Sequence, residues 1–386
     1  MSAPPLRALP VGELRQRSST KWRRYPENVL PLFVAETDYA LAPEITRVLT
    51  RAVELGDTGY TPPHPGVAEA FSAFSARRFG WEVDPTAVRW TGDVMMGVVE
   101  ILRRVIAPGD GVIVMPPVYP PFFDTVEEAA GVPVRVPLTR HEAGWAVDLD
   151  GVETALAAGA RAVLLCSPHN PTGTVHPRAV LEALADIAER HGATVISDEI
   201  HAPLTYDRDA FTPFLAAGEG ARRVGYAVTS ASKTFNLAGL KCAVMVAGGP
   251  AQGEVLQSLP WEVEWRTGLF GALANVAAYA PESDAWLDSL LAALTESRAL
   301  LGGLLAEHLP RARWLPPEAG FLAWVDVSDY GWGEDPASLI VREADVALHH
   351  GPYFGTEGAG HVRINFACGP EVLTEAMARI GALARS

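Results

Sequence analysis

The chain has 386 residues, 48% of them hydrophobic, and a formal net charge of −15 at pH 7. This length can bury a large core in one large and one smaller domain, whereas the excess of acidic side chains argues against a broad surface for nucleic acid or anionic membranes. A small molecule is therefore the expected binding partner.

The three cysteines, Cys166, Cys242 and Cys368, lie far apart and form no C-x-x-C pair. They predict neither a disulfide framework nor a zinc site. Residues 1–10 lack the apolar core of a signal peptide, and we find no apolar run of membrane-spanning length. We therefore expect a cytoplasmic protein that does not bind membranes.

Strands and helices alternate along the middle of the chain, which predicts a parallel sheet covered by helices. The predicted buried strands are short apolar runs, each followed by Pro, Gly, Ser or Asn, at 112–115, 162–166, 194–197 and 224–229. A helix is predicted at 177–191, where a proline starts it and Gly192 ends it. Together with the strands on either side, this helix forms one βαβ unit.

After about residue 281 the pattern changes. The predicted elements are a long amphipathic helix from near Trp286, extended segments at 321–327 and 361–367, and a final helix from Pro370. These elements are typical of a smaller α+β domain.

We therefore predict two domains. Residues 50–280 form the large α/β domain, and residues 281–386 form the smaller one. Residues 1–49, rich in proline and arginine, are predicted to form an irregular arm that packs with the smaller domain.

Ligands of open parallel sheets bind beyond the carboxyl ends of the strands, and polar residues follow three of the predicted strands. They read S-P-H-N-P-T-G at 167–173, S-D-E-I-H at 197–201 and S-A-S-K-T-F-N at 230–236. An acid, an amide and a lysine should thus meet at one edge. A lysine there can form an imine with a carbonyl cofactor, and a carboxylate can keep a pyridine nitrogen protonated.

These motifs resemble those of the class I/II aminotransferases, which are pyridoxal 5′-phosphate (PLP) enzymes of fold type I. The spacings from Asn170 to Asp198 and from Asp198 to Lys233 also match that family. Within it, the chain is most similar to the cystathionine β-lyase, or C-S lyase, branch of MalY/PatB type. The segments that carry this similarity are 21–22, 59–60, 119–122, 286–288 and 363–368.

The resemblance spans nearly the whole chain and implies its fold and its catalytic residues. The fold would be a large domain with a mostly parallel seven-stranded sheet plus a smaller α+β domain. Lys233 would hold PLP as a Schiff base and act as general acid and base. Asp198 would pair with the pyridine nitrogen, Asn170 would donate to the ring oxygen, and Tyr119 would stack on the ring.

A phosphate needs backbone N–H groups at a helix start, which the helix predicted to follow Thr91 offers through Gly92, Asp93 and Val94. The Asp93 carboxylate would repel a phosphate. We therefore expect this side chain to cap the helix or to face away from the phosphate, while its N–H contacts the cofactor.

The resemblance implies further cofactor contacts from Ser230, Ser232, Lys241, His201 and Tyr60. Lys241 stands where the family usually has arginine, so it keeps the charge and loses the bidentate fork. The role of His201 stays open, because a packed histidine is an equal alternative. Tyr60 resembles the tyrosine that reaches the phosphate from a neighbouring subunit, which implies a homodimer with shared sites.

Arg363 would bind the substrate α-carboxylate, for which a planar guanidinium is well shaped. His349 and His350 are adjacent and point apart on a strand, which argues against joint metal binding. No metal site is expected.

The sequence allows four candidate functions to be compared. A Rossmann dehydrogenase is excluded because no G-x-G-x-x-G follows a predicted strand. The branch resemblance favours β-elimination from a cysteine thioether over the alternative, transamination of a small amino acid. A PLP-binding regulatory protein is the fourth possibility, although Lys233, Asp198 and Arg363 argue for catalysis.

Overall fold

The structure is a computed structural model that describes residues 4–142 and 144–385. Residues 1–3, 143 and 386 of the predicted arm and domains lie outside the described residues. The strands are, in chain order, β1 (Leu30–Pro31), β2 (Val88–Thr91), β3 (Gly111–Val114), β4 (Val132–Arg135), β5 (Thr139–His141), β6 (Gly144–Ala146), β7 (Ala162–Cys166), β8 (Thr194–Asp198), β9 (Gly225–Thr229), β10 (Ala243–Ala247), β11 (Arg313–Trp314), β12 (Leu322–Asp326), β13 (Val346–Ala347), β14 (His349–His350) and β15 (His361–Asn365).

Many helices of the described residues begin after a proline, a glycine or an aspartate. They are α1 (Val11–Leu14), α2 (Thr20–Arg23), α3 (Pro43–Leu55), α4 (Val67–Phe79), α5 (Val94–Val105), α6 (Pro121–Glu128), α7 (Leu149–Ala157), α8 (Arg178–Arg190), α9 (Glu219–Val224), α10 (Pro250–Gln257), α11 (Glu262–Trp265), α12 (Leu269–Tyr279), α13 (Asp284–His308), α14 (Pro336–Ala344) and α15 (Pro370–Arg385).

The large sheet has seven strands in the order β2-β10-β9-β8-β7-β3-β4. Only β10 runs against its neighbours, β2 and β9, so the predicted mostly parallel seven-stranded sheet is confirmed. The four strands predicted from apolar runs correspond to β3, β7, β8 and β9 within two residues. Every residue of β7 and β9 is buried, because helices cover both faces of a parallel sheet.

Backbone contacts divide the chain into two compact units. The sheet unit comprises Leu41–His169 and Val175–Asp284, and the small unit comprises the residues up to Ala40, Asn170–Thr174 and the residues from Ala285 onward. The predicted division into domains at residues 50 and 280 stays a prediction.

The small unit contains the four-stranded antiparallel sheet β11-β12-β15-β14 and the parallel pair β1-β13. In the register of this sheet, His349 of β14 lies opposite Arg363 of β15. The extended segments and the final helix predicted after residue 281 are confirmed as β12, β15 and α15.

The prediction that residues 1–49 are irregular is wrong in part. That stretch contains α1, α2 and β1, and α3 starts at Pro43. Pro43 sits in the first turn, where proline suits a helix start, and Ile45 and Ala52 are the buried residues of the helix. The arginine and proline content of the stretch concealed this apolar face.

Among the residues that the structure describes, one helical stretch, Pro281–His308, is long and apolar enough by composition to cross a membrane, with 44% of its most apolar window buried inside the structure. No such run was expected from the sequence. The acidic residues Asp284, Asp288 and Glu296 interrupt the apolar sequence of this helix, which is why the sequence pattern did not reveal it.

Candidate active site

Two neighbouring strands bring the predicted acid and the predicted lysine to one edge of the sheet. Asp198 is the last residue of β8, and Ser230 directly follows β9, which is paired in parallel with β8. Lys233 lies in the turn after Ser230, and its positive charge acts on the Asp198 carboxyl group. The structure thus places these residues together in the sheet unit.

The environment of Asp198 disfavours its charged form. The side chain is buried, and its Oδ1 accepts the Ile200 N–H at 3.0 Å. Burial raises the pKa of Asp198 to about 7, although the Ile200 N–H and the charge of Lys233 act in the opposite direction. A buried carboxylate of this kind is stabilised when a cationic group binds beside it.

The adjacent Glu199 is buried as well, but the protein itself supplies its hydrogen-bond partners. Its Oε1 accepts the Phe214 N–H at 2.7 Å and the Ser197 hydroxyl at 3.1 Å. Burial raises the pKa of Glu199 to about 8. These bonds tie the end of β8 to the following loop, so Glu199 has a structural role.

The turn that carries Lys233 is held by side-chain contacts. The Ser230 hydroxyl donates to the Cys242 carbonyl at 2.6 Å, lies 2.7 Å from the Ser232 hydroxyl and accepts the Ser232 N–H at 3.1 Å. The Asn275 Oδ1 accepts the Ala231 N–H at 3.3 Å. Asn275 was not among the predicted site residues. The feature that could have revealed it is that it is a lone amide among the apolar residues of α12.

The predicted phosphate cradle lies at the start of α5. The Asp93 Oδ1 accepts the Met96 N–H at 2.9 Å, so the expectation that this side chain caps the helix is confirmed. Its Oδ2 accepts from the Lys241 ammonium at 3.0 Å. The two residues that depart from the family pattern are therefore partners in an ion pair at the surface.

Gly92 leaves little room for a side chain in this cradle. A Cβ on Gly92 would lie 3.1 Å from the Arg266 carbonyl oxygen, which is tighter than about nine in ten real contacts of this kind. The bare backbone suits a close approach of a ligand to the N–H groups at the start of α5, including that of Val94.

Tyr119 and His201 also lie in the sheet unit, after β3 and β8 respectively. Tyr119 is half-buried, packs against the hydrophobic core and has its ring 6.2 Å from that of Phe122. His201 is buried in the turn that leads into the short helix at 202–204. Their predicted contacts with a cofactor remain predictions.

Tyr60 lies on the surface of the sheet unit, with 84% of its side chain exposed. Its ring is 5.3 Å from that of Trp265, which in turn is 4.7 Å from that of Trp261. Trp261 and Trp265 are also more than half exposed. We refer to Tyr60, Trp261 and Trp265 as the aromatic patch.

The small unit brings together the other two predicted site residues. The Arg363 guanidinium donates to the Asn170 Oδ1 and to the Phe33 carbonyl, each at 3.1 Å, and lies 5.0 Å from the ring centroid of Phe354. Arg363 is only 2% exposed. Burial and the neighbouring Arg363 lower the pKa of His349 to about 3, so this histidine adds no charge.

Comparisons with known proteins show the family of the chain. The sequence model of the family "Aminotransferase class I and II" matches residues 28–380. A protein of Mycobacterium leprae (strain TN), provisionally named a cystathionine β-lyase, is 42% identical over 99% of this chain and 98% of its own length. The cystathionine β-lyase PatB of Bacillus subtilis (strain 168) is 30% identical, with 94% of this chain and 96% of PatB covered.

Solved structures agree as well. The crystal structure of a provisionally assigned PLP-dependent β-cystathionase from Corynebacterium diphtheriae superposes with a TM-score of 0.94 at 33% identity, covering 99% of each chain. The predicted fold type I architecture is therefore confirmed. The resemblance carried by the motifs is confirmed too, and the chain belongs to the class I and II aminotransferase family, in its MalY/PatB-like branch.

Proposed function

We propose that the chain is a PLP-dependent carbon–sulfur lyase that converts L-cystathionine, or another cysteine S-conjugate, to a thiol, pyruvate and ammonia. The observation that carries the proposal is the buried Asp198 carboxyl group, whose pKa burial raises to about 7, at the same sheet edge as Lys233. The relatives named cystathionine β-lyase support the choice of reaction.

The residues of the sheet unit fit PLP by their chemistry. Asp198 offers a buried carboxylate to a protonated pyridine nitrogen, and Lys233 offers an amine to the aldehyde. For the phosphate, the site offers one cation, Lys241. It also offers hydrogen-bond donors, which are the Ser230 and Ser232 hydroxyls and the N–H groups at the start of α5. When bound, PLP withdraws electrons from the substrate α-carbon.

The chain's own residues then supply binding and proton transfer. In the proposal, Arg363 binds the substrate α-carboxylate, Asp198 holds the proton on the pyridine nitrogen, and the Lys233 amine takes the proton from the α-carbon. The Cβ–S bond breaks, its electron pair leaves on sulfur, and the thiolate takes up a proton. Water then converts the released three-carbon enamine to pyruvate and ammonia.

A product assay tests this function. The purified protein should release thiol and pyruvate from L-cystathionine through many turnovers with no added keto acid, because elimination returns the cofactor to its starting form. An aminotransferase would stop after one turnover until 2-oxoglutarate is supplied. If several cysteine S-conjugates yield no thiol while 2-oxoglutarate supports turnover of other amino acids, the protein is a transaminase.

The proposal includes a homodimer in which Tyr60 completes the neighbour's site. The aromatic patch supports it, because exposed aromatic clusters of this kind mark protein interfaces. The small-molecule substrate and a cytoplasmic location also belong to the proposal. The three cysteines are free and buried, which is compatible with a reducing compartment.

Tyr60→Phe should weaken cofactor retention, because the phenol hydroxyl would no longer reach the phosphate. The fraction of PLP left after dialysis, read from its visible absorbance, measures the effect. Tyr353→Phe is the matched control, since Tyr353 is 61% exposed in the small unit.

Mixing an inactive Tyr60 variant with an inactive Lys233 variant should restore some activity, and no recovery despite proven subunit exchange would rule out shared sites.

Arg363→Ala should lower kcat/KM for cysteine S-conjugates by about 30-fold or more, because truncating one partner of a buried charge pair costs roughly 2 to 5 kcal/mol. Steady-state kinetics measure the loss. Arg379→Ala is the control, since Arg379 lies in the same unit and pairs with Glu375 at 2.7 Å near the surface. An unchanged kcat/KM in Arg363→Ala would place this arginine outside the substrate site.

A further inference from the structure

The segment from Phe33 to Tyr39, which we call the 33–39 segment, follows β1 without forming a helix or strand. Such segments usually satisfy their backbone carbonyls with water. Here buried or partly buried donors of the small unit supply the bonds instead. The carbonyls that accept from donors outside the segment belong to Phe33, Val34, Glu36, Thr37, Asp38 and Tyr39.

Asn365 supplies the first clamp on this segment. Its Nδ2 donates to the Val34 carbonyl at 2.6 Å and to the Glu36 carbonyl at 2.7 Å, and its Oδ1 accepts the Ala367 N–H at 2.8 Å. Asn365 is fully buried. It lies two positions after Arg363 on β15, so both side chains point from the same face of the strand toward the segment.

Lys21 supplies the second clamp. Its ammonium donates to the Glu36 carbonyl at 3.1 Å and pairs with the Asp38 carboxylate at 2.9 Å, and both side chains are only 1% exposed. Burial raises the pKa of Asp38 even though Lys21 acts against this shift. Since a buried ion pair contributes little net stability, its value here lies in fixing one geometry for the segment.

The segment held by the two clamps begins with the residue that orients Arg363. The Phe33 carbonyl, at the start of the segment, accepts from the guanidinium at 3.1 Å. This acceptor is neutral, as is the Asn170 amide oxygen on the other terminal nitrogen. These two contacts therefore orient the guanidinium, and neither of them neutralises its positive charge.

We infer that Asn365 and Lys21 are positioning residues for substrate binding, which hold the 33–39 segment so that the Phe33 carbonyl fixes the Arg363 guanidinium. This inference rests on the proposed role of Arg363 as the carboxylate-binding group. A displacement of about 1 Å at such a contact can cost on the order of 100-fold in rate. Binding of the carboxylate should suffer more than the chemical step.

Asn365→Ala tests the inference on the full-length enzyme. It should raise KM for a cysteine S-conjugate about 10-fold or more, while kcat changes by less than about 3-fold, because the part-buried Val34 and Glu36 carbonyls each lose one donor. The inhibition constant of propionate, which has a carboxylate and no amine to react, should rise in parallel. In the Arg363→Ala background the same change should add almost nothing.

Leu301→Ala serves as the control for a merely structural loss. Leu301 is fully buried in α13 of the same unit, so this variant should lower the melting temperature without changing KM or propionate inhibition. If Asn365→Ala does not fold, the double variant Lys21→Met with Asp38→Leu replaces the buried pair by apolar side chains and should raise KM in the same way.

The outcomes separate the inference from the proposed function. An unchanged KM in the clamp variants, while Arg363→Ala raises KM, would overturn the inference alone. An additive loss in the Arg363→Ala background would also overturn it. If Arg363→Ala itself leaves KM and propionate inhibition unchanged, the proposed role of Arg363 is wrong.

Discussion

Lys233→Ala should abolish turnover, with kcat reduced by at least about 10,000-fold, the upper range for loss of a general acid–base group. The variant loses both the amine that reacts with the cofactor aldehyde and the base that removes the α-proton. Thiol release from a cysteine S-conjugate measures the loss. Ordinary activity in this variant would end the assignment of Lys233.

Chemical trapping gives a second measure that does not depend on turnover. The chain contains only three lysines, Lys21, Lys233 and Lys241. Lys21 is buried against Asp38 and Lys241 is paired with Asp93. Borohydride reduction of the native enzyme should therefore fix the cofactor to Lys233, and peptide mass spectrometry should find no label at the other two.

Lys233→Arg separates the charge of Lys233 from its amine. An arginine keeps a positive charge beside Asp198, but a guanidinium cannot react with the aldehyde or accept the α-proton at neutral pH. This variant should be as inactive as Lys233→Ala. Substantial activity in Lys233→Arg would mean that the role of residue 233 is electrostatic.

The edge of the sheet where these residues meet was predictable because parallel strands have a simple geometry. Short apolar runs identified β7, β8 and β9, and the carboxyl ends of parallel strands share one edge. The polar residues that follow the strands had to converge there. The capping role of Asp93 was predictable for a similar reason, since an aspartate before an apolar helical run is a common cap.

Contacts between residues far apart in the sequence were not predictable in this way. The Asp93–Lys241 pair joins positions 148 residues apart, and Asn365 reaches carbonyls 329 and 331 residues before it. Neither contact leaves a periodic pattern. In the sequence, Asp93 and Lys241 are two separate departures from the family pattern, and only the fold shows that they form an ion pair.

Asp198→Asn should reduce kcat on the order of 100- to 1000-fold, comparable to the loss of one preorganised electrostatic contact in other enzymes. An amide has nearly the same shape but cannot hold a proton on the pyridine nitrogen, so the cofactor withdraws electrons less strongly. The cofactor should still bind, which its absorbance reports. A kcat close to that of the native enzyme would exclude Asp198 as the partner of the ring nitrogen.

The same substitution should stabilise the cofactor-free protein at alkaline pH. Burial raises the pKa of Asp198 from its ordinary value of 3.8 to about 7, so the folded state binds this proton more tightly than the unfolded state does. The native protein therefore loses stability as the pH rises from about 4 through about 7, whereas the asparagine of the variant has no proton to lose.

Urea unfolding at several pH values should show Asp198→Asn to be the more stable protein at pH 8, with the difference shrinking toward pH 4. Glu199 is present in both proteins, and burial is the main cause of its raised pKa, with a smaller contribution from the Asp198 charge, so most of the difference between the two proteins reports Asp198. A native protein that is equally or more stable at pH 8 would mean that the carboxylate of Asp198 is already well compensated without the cofactor.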